Sequence, residues 1–448
     1  MHRPDYRARG NPRIPVRTWV MPSFRHIVLR EKAIVMMQKN RQPAPRRSRW
    51  WATPGLAIAA VGLLALSACA DNTTEQTSSG SDSSTTLGIS DAGEFNGLVT
   101  GSSTIAPTVD GDKVTIDLGG QKVTVDKDKK LKVGFFVVGS SSPFFQTAYA
   151  WGKAQADAYG YDFEMVDASF DASKQADQIQ TAISTKKYDA IIIIPVDGVA
   201  SCDSLTKQAP QAGIIVVNYF NPICGKDDAP IENWYVPGLL GAVGGGTSVP
   251  VTEAFAEKVM SEFPEGKGMS LNIAESICVC GLIFNKALDG AQADYPNVDL
   301  SRLYASSTDA AGGQTVTEQY LKDNKDADFI LALSDDTAAG AVEAVKAAGL
   351  TGKVKVFIAG GTQQIVDFMK VGASDGTYPY YMGDAVQSSL LMLHEAVAGN
   401  PVPTVIANDG HPLESYSQQE APYFTYVTPE IINSGAYVAN TVANANAR

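Results

Sequence analysis

Residues 131–161 read "LKVGFFVVGSSSPFFQTAYAWGKAQADAYGY", and the fold is decided in them. The run "LKVGFFVVG" is apolar almost without interruption, as a strand covered on both faces must be. Ala150, Ala154 and Ala158 then recur every fourth residue until Gly160, which predicts a helix ending at that glycine. Between the two stands "GSSSPFFQT" (139–147), which sets two consecutive phenylalanines, Phe144 and Phe145, on a loop just after a strand.

The rhythm repeats. "YDFEMVDA" (161–168), "YDAIIIIPV" (188–196) and "GIIVVNY" (213–219) are strand-like runs separated by helical segments, and this first block ends near Thr247. A second series follows, with strands "GMSLNIAE" (268–275), "VDLSRLYA" (298–305), "ADFILAL" (327–333) and "VKVFIAG" (354–360) between helices starting near Gly281, Gly313, Asp335 and Thr362. The fold class is therefore α/β, with two doubly wound parallel-sheet lobes joined by a hinge. In such sheets small ligands sit beyond the carboxyl ends of the strands, so two facing lobes make a cleft lined by strand-end loops.

With 448 residues and 44% hydrophobic content, the chain can bury more than one domain core. Its net charge of -12 hides an asymmetry: residues 1–68 hold 13 Lys and Arg against 2 acids, so 23 basic and 46 acidic residues remain from Cys69 onward, a net of -23. So acidic a body repels nucleic acid and anionic lipid headgroups. The basic start precedes an apolar run from Leu56 to Ala68, a charged region and an apolar region of signal-peptide length (1–68). Pro54 and Gly55 keep that run below the ~20 residues of a membrane span reaching back to Trp50. Residues 1–35 carry no second apolar run, which makes Met36 or Met37 a candidate start. "LSAC" (66–69) resembles the lipobox of bacterial lipoproteins, which implies cleavage before Cys69 and a lipid on its thiol. Residues 69–95 are too rich in Ser and Thr to order themselves and read as a tether. Val114, Ile116, Leu118, Val123 and Val125 alternate around Gly119-Gly120, so 96–130 reads as a short β appendage ahead of the main body.

From about Leu131 to Asn433 the chain resembles the type I periplasmic sugar-binding proteins of the ribose- and galactose-binding kind. "VGFFVVGSSSPFFQTAYAWGKAQADAYGY", "IIIIPVDGVA" and "AGIIVVNYF" carry the likeness to their first lobe, and "LALSDDTAAGAVEAVKAAG" and "VKVFIAGGTQ" to their second. On that likeness lobe I comprises 131–247 plus 383–405, and lobe II 248–382 plus 406–440. The resemblance implies that Phe144 and Phe145 stack on the ligand and that Ser142 donates a polar contact. A sugar ring has apolar C–H faces and a polar rim, which suits rigid aromatic planes beside short polar side chains.

Several positions depart from the family. Phe220-Asn221 stand where an Asp-Arg pair is usual, Gly360 where an Asp is common and Met382 where a Gln is usual. The arginine expected after "NIAESICVCG" is missing, with Asn285 and Ala287 nearby. Ribose is therefore not the expected ligand. The remaining polar candidates are Ser142, Asn218, Asn221, Glu275, Ser276, Asn285, Ser334 and Asp335, with Tyr219, Phe220, Tyr380 and Tyr381 as aromatic surface. Asp335 and Asp197 equally suit helix caps, whereas Glu275, a lone acid ending an apolar strand, has no obvious capping role.

Four cysteines follow Cys69, an even number in an exported chain. A Cys202–Cys224 bridge is the first expectation, which leaves Cys278 and Cys280 as a tight local bridge or as thiols. No metal or other cofactor is expected: C-x-C lacks zinc-knuckle spacing, and after Cys69 only His394 and His411 are available. No enzyme is expected either, since "GAVGGGTS" (241–248) lacks the phosphate-loop lysine and no H-E-x-x-H or G-x-S-x-G stands in context. A repressor built on the same core would begin with a DNA-binding helix-turn-helix, not with a signal and a tether. The expected function is a lipid-anchored, extracytoplasmic solute-binding protein, a monomer reaching the membrane through its anchor only. It would deliver a small sugar, polyol or similar neutral solute to an ABC permease; the alternative is a receptor presenting its ligand to a membrane sensor protein.

Overall fold

The apolar runs become the strands of two parallel sheets, because a strand buried on both faces must be apolar at nearly every position. The computed structural model describes residues 98–99, 103–407 and 426–445. The signal region, Met36, Met37, Cys69, the tether and His411 lie outside the described residues.

The chain opens with β1 (Leu98–Val99), β2 (Thr104–Ile105), β3 (Thr108–Asp110), β4 (Lys113–Asp117) and β5 (Lys122–Asp126). It continues through β6 (Lys132–Val137), α1 (Pro143–Tyr159), β7 (Asp162–Asp167), α2 (Ala172–Thr185), β8 (Ala190–Ile193), α3 (Ala209–Gln211), β9 (Ile215–Phe220) and β10 (Gly241–Gly244). The second lobe holds α4 (Val249–Glu262), β11 (Lys267–Asn272), α5 (Val279–Asp294), β12 (Asp299–Tyr304), α6 (Ala310–Asp323), β13 (Phe329–Ala332), α7 (Asp335–Ala347), β14 (Lys355–Gly360), α8 (Gln363–Lys370) and β15 (Gly376–Pro379). Then α9 (Met382–Ala398), β16 (Val402–Pro403) and β17 (Val405–Ala407) rejoin the first lobe, and α10 (Pro429–Ser434) packs on the second.

Lobe I is a seven-stranded sheet in the order β1-β17-β10-β9-β8-β6-β7, parallel except for β1. Lobe II is a five-stranded parallel sheet in the order β12-β11-β13-β14-β15. Alternate residues of each strand feed the two covered faces: Phe135 and Val137 enter one cluster of lobe I, Phe136 the other. Helix α1 ends as expected at Gly160, whose left-handed φ of 70° a side chain would disfavour.

Two boundaries differ from the sequence reading. The β3–β5 meander is no separate appendage: its inward face, Val114, Ile116, Leu118, Val123 and Val125, is buried in the main cluster of lobe I. A small sheet with one apolar face needs something to cover that face. The C-terminal stretch, assigned to lobe II, divides. Residues 406 and 407 continue from Val405 as β17, an inner strand of lobe I buried on both faces. Tyr437 donates its hydroxyl proton to the Gly361 carbonyl in lobe II (2.8 Å), whereas Asn440 accepts from Gly383 N (2.9 Å) and the Thr441 carbonyl accepts from Trp151 Nε1 (2.8 Å), both in lobe I. The described chain thus crosses between the lobes at 245–248, at 380–381 and again near 437–440.

Candidate ligand-binding cleft

The loop after β6 is shaped by the start of α1. Pro143 occupies the first turn, where its missing N–H costs nothing, and Ser142 caps the helix by accepting from Phe144 N at 3.2 Å. That cap orients the two phenylalanines differently. Phe145 is buried in the core of lobe I, while Phe144 is half-buried and packs on that core from outside. The Phe144 ring stands edge-on to Phe145 (centroids 4.8 Å apart), Phe220 (5.3 Å) and Tyr380 (6.2 Å).

Phe220 ends β9 with φ at +65°, a left-handed conformation unusual for an aromatic residue, and its carbonyl accepts the Thr247 hydroxyl. Tyr380 comes from a crossing segment and meets Phe220 edge-on at 5.7 Å. Next to Phe220, Asn221 is only 1% exposed; its Nδ2 donates to the Pro195 carbonyl at 3.1 Å and lies 3.9 Å from Cys278 Sγ in lobe II. Its Oδ1 has no partner.

The facing wall comes from lobe II. Ser334 caps α7, and Asp335 turns its carboxylate back to accept from Gly361 N (3.1 Å) and Thr362 N (3.0 Å). A Cβ on residue 360 would lie 1.9 Å from Asp335 Oδ1, so Gly360 is glycine because the carboxylate of Asp335 fills the space a side chain would need. Burial pushes the Asp335 carboxyl up to about 7, against the two N–H groups that favour its ionised form and with Asp336 adding repulsion. Burial also raises the Asp336 carboxyl; the nearby Ser142 hydroxyl works against this, and Asp309 adds to it. Burial likewise raises the Tyr380 phenol.

These groups enclose a cavity of about 100 Å³, lined by both lobes. Of the residues singled out in the sequence, Ser142, Phe144, Phe145, Phe220, Asn221, Ser334, Asp335, Gly360 and Tyr380 line it. The others lie elsewhere. Asn218 is buried behind the wall, donating to the Asn221 carbonyl at 2.9 Å, and Tyr219 lies in the lobe I core with its hydroxyl on the Met382 carbonyl (2.9 Å). Met382 is in that same core, and Tyr381 belongs to the lobe II core beside Tyr437. Glu275 and Ser276 are exposed, and Asn285 donates to Glu275 (2.6 Å) and to the Tyr304 hydroxyl (2.9 Å) away from the cavity.

The cavity also contains residues not singled out: Phe170, Thr247, Thr308, Asp336, Cys278 and Cys280. Phe170 lies in the 167–171 strand-end loop, so its place was available from the topology. Cys278 is joined to Cys280 at the start of α5, and Cys202 to Cys224 in lobe I with Cα atoms 4.9 Å apart. Among the described residues, no group of His, Cys, Asp and Glu could hold a metal ion, and no helix is long and apolar enough to cross a membrane.

A family profile described as "Periplasmic binding protein domain" matches residues 133–235 and 281–401, half of the chain. The D-ribose/D-allose-binding protein of Pseudomonas aeruginosa is 27% identical over 266 residues, covering 56% of this chain and 77% of that protein. The fructose import binding protein of Bifidobacterium longum is 28% identical over 253 residues, covering 55% of this chain and 73% of that protein. Among solved structures, a solute-binding protein from Bacillus halodurans with bound myo-inositol superposes with a TM-score of 0.57 at 20% identity, covering 70% of this chain and all of that one. These relatives are binding proteins and not enzymes. With its two parallel-sheet lobes closing on a cavity at their strand ends, this chain belongs to the periplasmic binding protein family in its type I, two-lobed form.

Proposed function

We propose that the chain is the lipid-anchored, extracytoplasmic solute-binding protein of an ABC importer, and that it captures one small sugar- or polyol-like solute between its lobes. The observation that carries this reading is the cavity itself, with aromatic rings from lobe I and the crossing segment on one side and the cap of α7 on the other. Phe144 and Phe220 supply ring faces and edges for apolar C–H surface; Ser142, Asn221, Ser334 and Asp335 supply the polar rim. Ligand that touches both walls favours the closed arrangement by its differential affinity, and closure is the signal a permease reads. "LSAC" at 66–69 supports anchoring through Cys69. The absence of an arginine from the wall argues against ribose, although a ribose/allose binder is among the relatives.

The test is equilibrium calorimetry of the full chain against a panel of pentoses, hexoses and cyclic and linear polyols. One of them is expected to bind one per chain and to raise the melting temperature with concentration. A panel without a single binder would remove the proposal.

A further inference from the structure

The carboxyl groups in this cavity have no basic counterpart. Among the described residues no Lys, Arg or His lines it, while Asp335 and Asp336 both do. The charged neighbours acting on these two carboxylates are themselves acids, Asp336 on the first and Asp309 on the second. Several of the wall's donors are spent within the protein. The Thr247 hydroxyl is on the Phe220 carbonyl, the Ser334 hydroxyl pairs with that of Thr337 and the Asn221 amide N–H is on the Pro195 carbonyl. One acceptor in the wall, Oδ1 of Asn221, a residue only 1% exposed, has no partner in the protein. A buried acceptor left unsatisfied is costly, so its presence in a binding cavity points to a donor brought by the ligand.

Around these acceptors stand the rings of Phe144, Phe145, Phe170, Phe220 and Tyr380. Aromatic faces attract cations through their quadrupole, most strongly where water is excluded. Rings, acceptors and carboxyl groups without a basic neighbour together form a surface complementary to a small organic cation and not to an anion or a bare hydrocarbon.

We propose that the solute carries one protonated or quaternary amine, held against the Asp336 side of the cavity among the aromatic rings, with Asn221 Oδ1 accepting a further donor of the same molecule. Within the solute-binding reading, on which this inference rests, the ligand class becomes an amino sugar or an amino-polyol rather than a neutral one.

The test measures Kd on the full chain at fixed pH and salt for matched pairs: glucosamine and glucose, galactosamine and galactose, 1-amino-1-deoxysorbitol and sorbitol, choline and 3,3-dimethylbutan-1-ol. Neutral ribose, allose, fructose and myo-inositol are run beside them. The amine member of at least one pair is expected to bind at least tenfold more tightly than its neutral partner. Asp336→Asn should erase that difference and Asp336→Glu retain most of it. A neutral compound binding while no amine exceeds its partner overturns the cation proposal and leaves the solute-binding reading standing. Binding by nothing in either set overturns both. Because the decisive comparison is made on the unaltered chain, misfolding of a variant does not obscure it.

Discussion

Replacing Phe144 by alanine separates recognition from folding, and the contrast with Phe145 makes the result interpretable. Phe144 is half-buried and touches three other rings edge-on, with centroids 4.8 to 6.2 Å away, whereas Phe145 is a buried member of the lobe I core. Truncating a buried core phenylalanine costs about 3–5 kcal/mol of stability. The ring contacts of Phe144 are worth about 0.5–1.5 kcal/mol each, but a half-exposed ring also gains solvent on removal, so Phe144→Ala is expected to cost less than about 2 kcal/mol in folding. Its loss from the cavity wall should weaken binding by about 1–3 kcal/mol, a rise in Kd of roughly 5- to 150-fold. Urea unfolding and calorimetry with a ligand found in the panel measure the two quantities on the same preparations. The reasoning fails if Phe144→Ala leaves Kd unchanged, or if it destabilises the chain as much as Phe145→Ala does.

Three further outcomes follow from other parts of the structure. Gly360→Ala should destabilise by about 2–4 kcal/mol, since its Cβ would displace the Asp335 carboxylate from the Gly361 and Thr362 N–H groups; a loss under about 0.5 kcal/mol in urea would show that the wall yields easily. Asp335 has its folded pKa raised to about 7 from 3.8, so it contributes stability below pH 3.8 that is lost as pH rises through 7. Unfolding free energies of the parent minus those of Asp335→Asn should therefore fall between pH 4 and 7, and a flat difference would contradict the burial argument. Replacing Cys202 and Cys224 together by serine should cost roughly 3 kcal/mol from the chain-entropy of a 22-residue separation, read as a lower urea midpoint; no change would mean the bridge adds nothing.

The sheets were legible because a continuous apolar run such as Ile191–Ile194, bounded by turn residues, suits a strand covered on both faces, and strand-end loops could then be named as the site. Periodicity did not tell Phe144 from Phe145. Both line the cavity, but the start of α1 leaves Phe144 half-buried and puts Phe145 in the core, which becomes visible only once α1 is placed. Tyr219 and Phe220 both join the lobe I core with ring centroids 5.0 Å apart, because the left-handed φ of Phe220 breaks the alternation of β9, and of the two only Phe220 also lines the cavity. Met382 and Tyr381 start α9 at a crossing, and their burial depends on which lobe each side chain meets.

Gly360 and Asp336 escape a local reading for a shared reason. Gly360 reads as a lost acid, yet Asp335 brings a carboxylate into the same space from a helix that starts 25 residues earlier. Asp336 reads as an ordinary acid in the first turn of a helix, where it suits the helix dipole. Ser142, which lines the same cavity, lies nearly two hundred residues away in the other lobe. Local pattern likewise marks the 113–126 hairpin as having one apolar face without saying what covers it.

The claim that the lobes close on one solute is tested most directly by small-angle X-ray scattering of the full chain titrated with a ligand identified by calorimetry. The radius of gyration should fall and saturate at one ligand per chain, and Phe144→Ala should need correspondingly more ligand to reach the same value. A ligand that binds at full stoichiometry while the radius of gyration stays constant would contradict capture by closure.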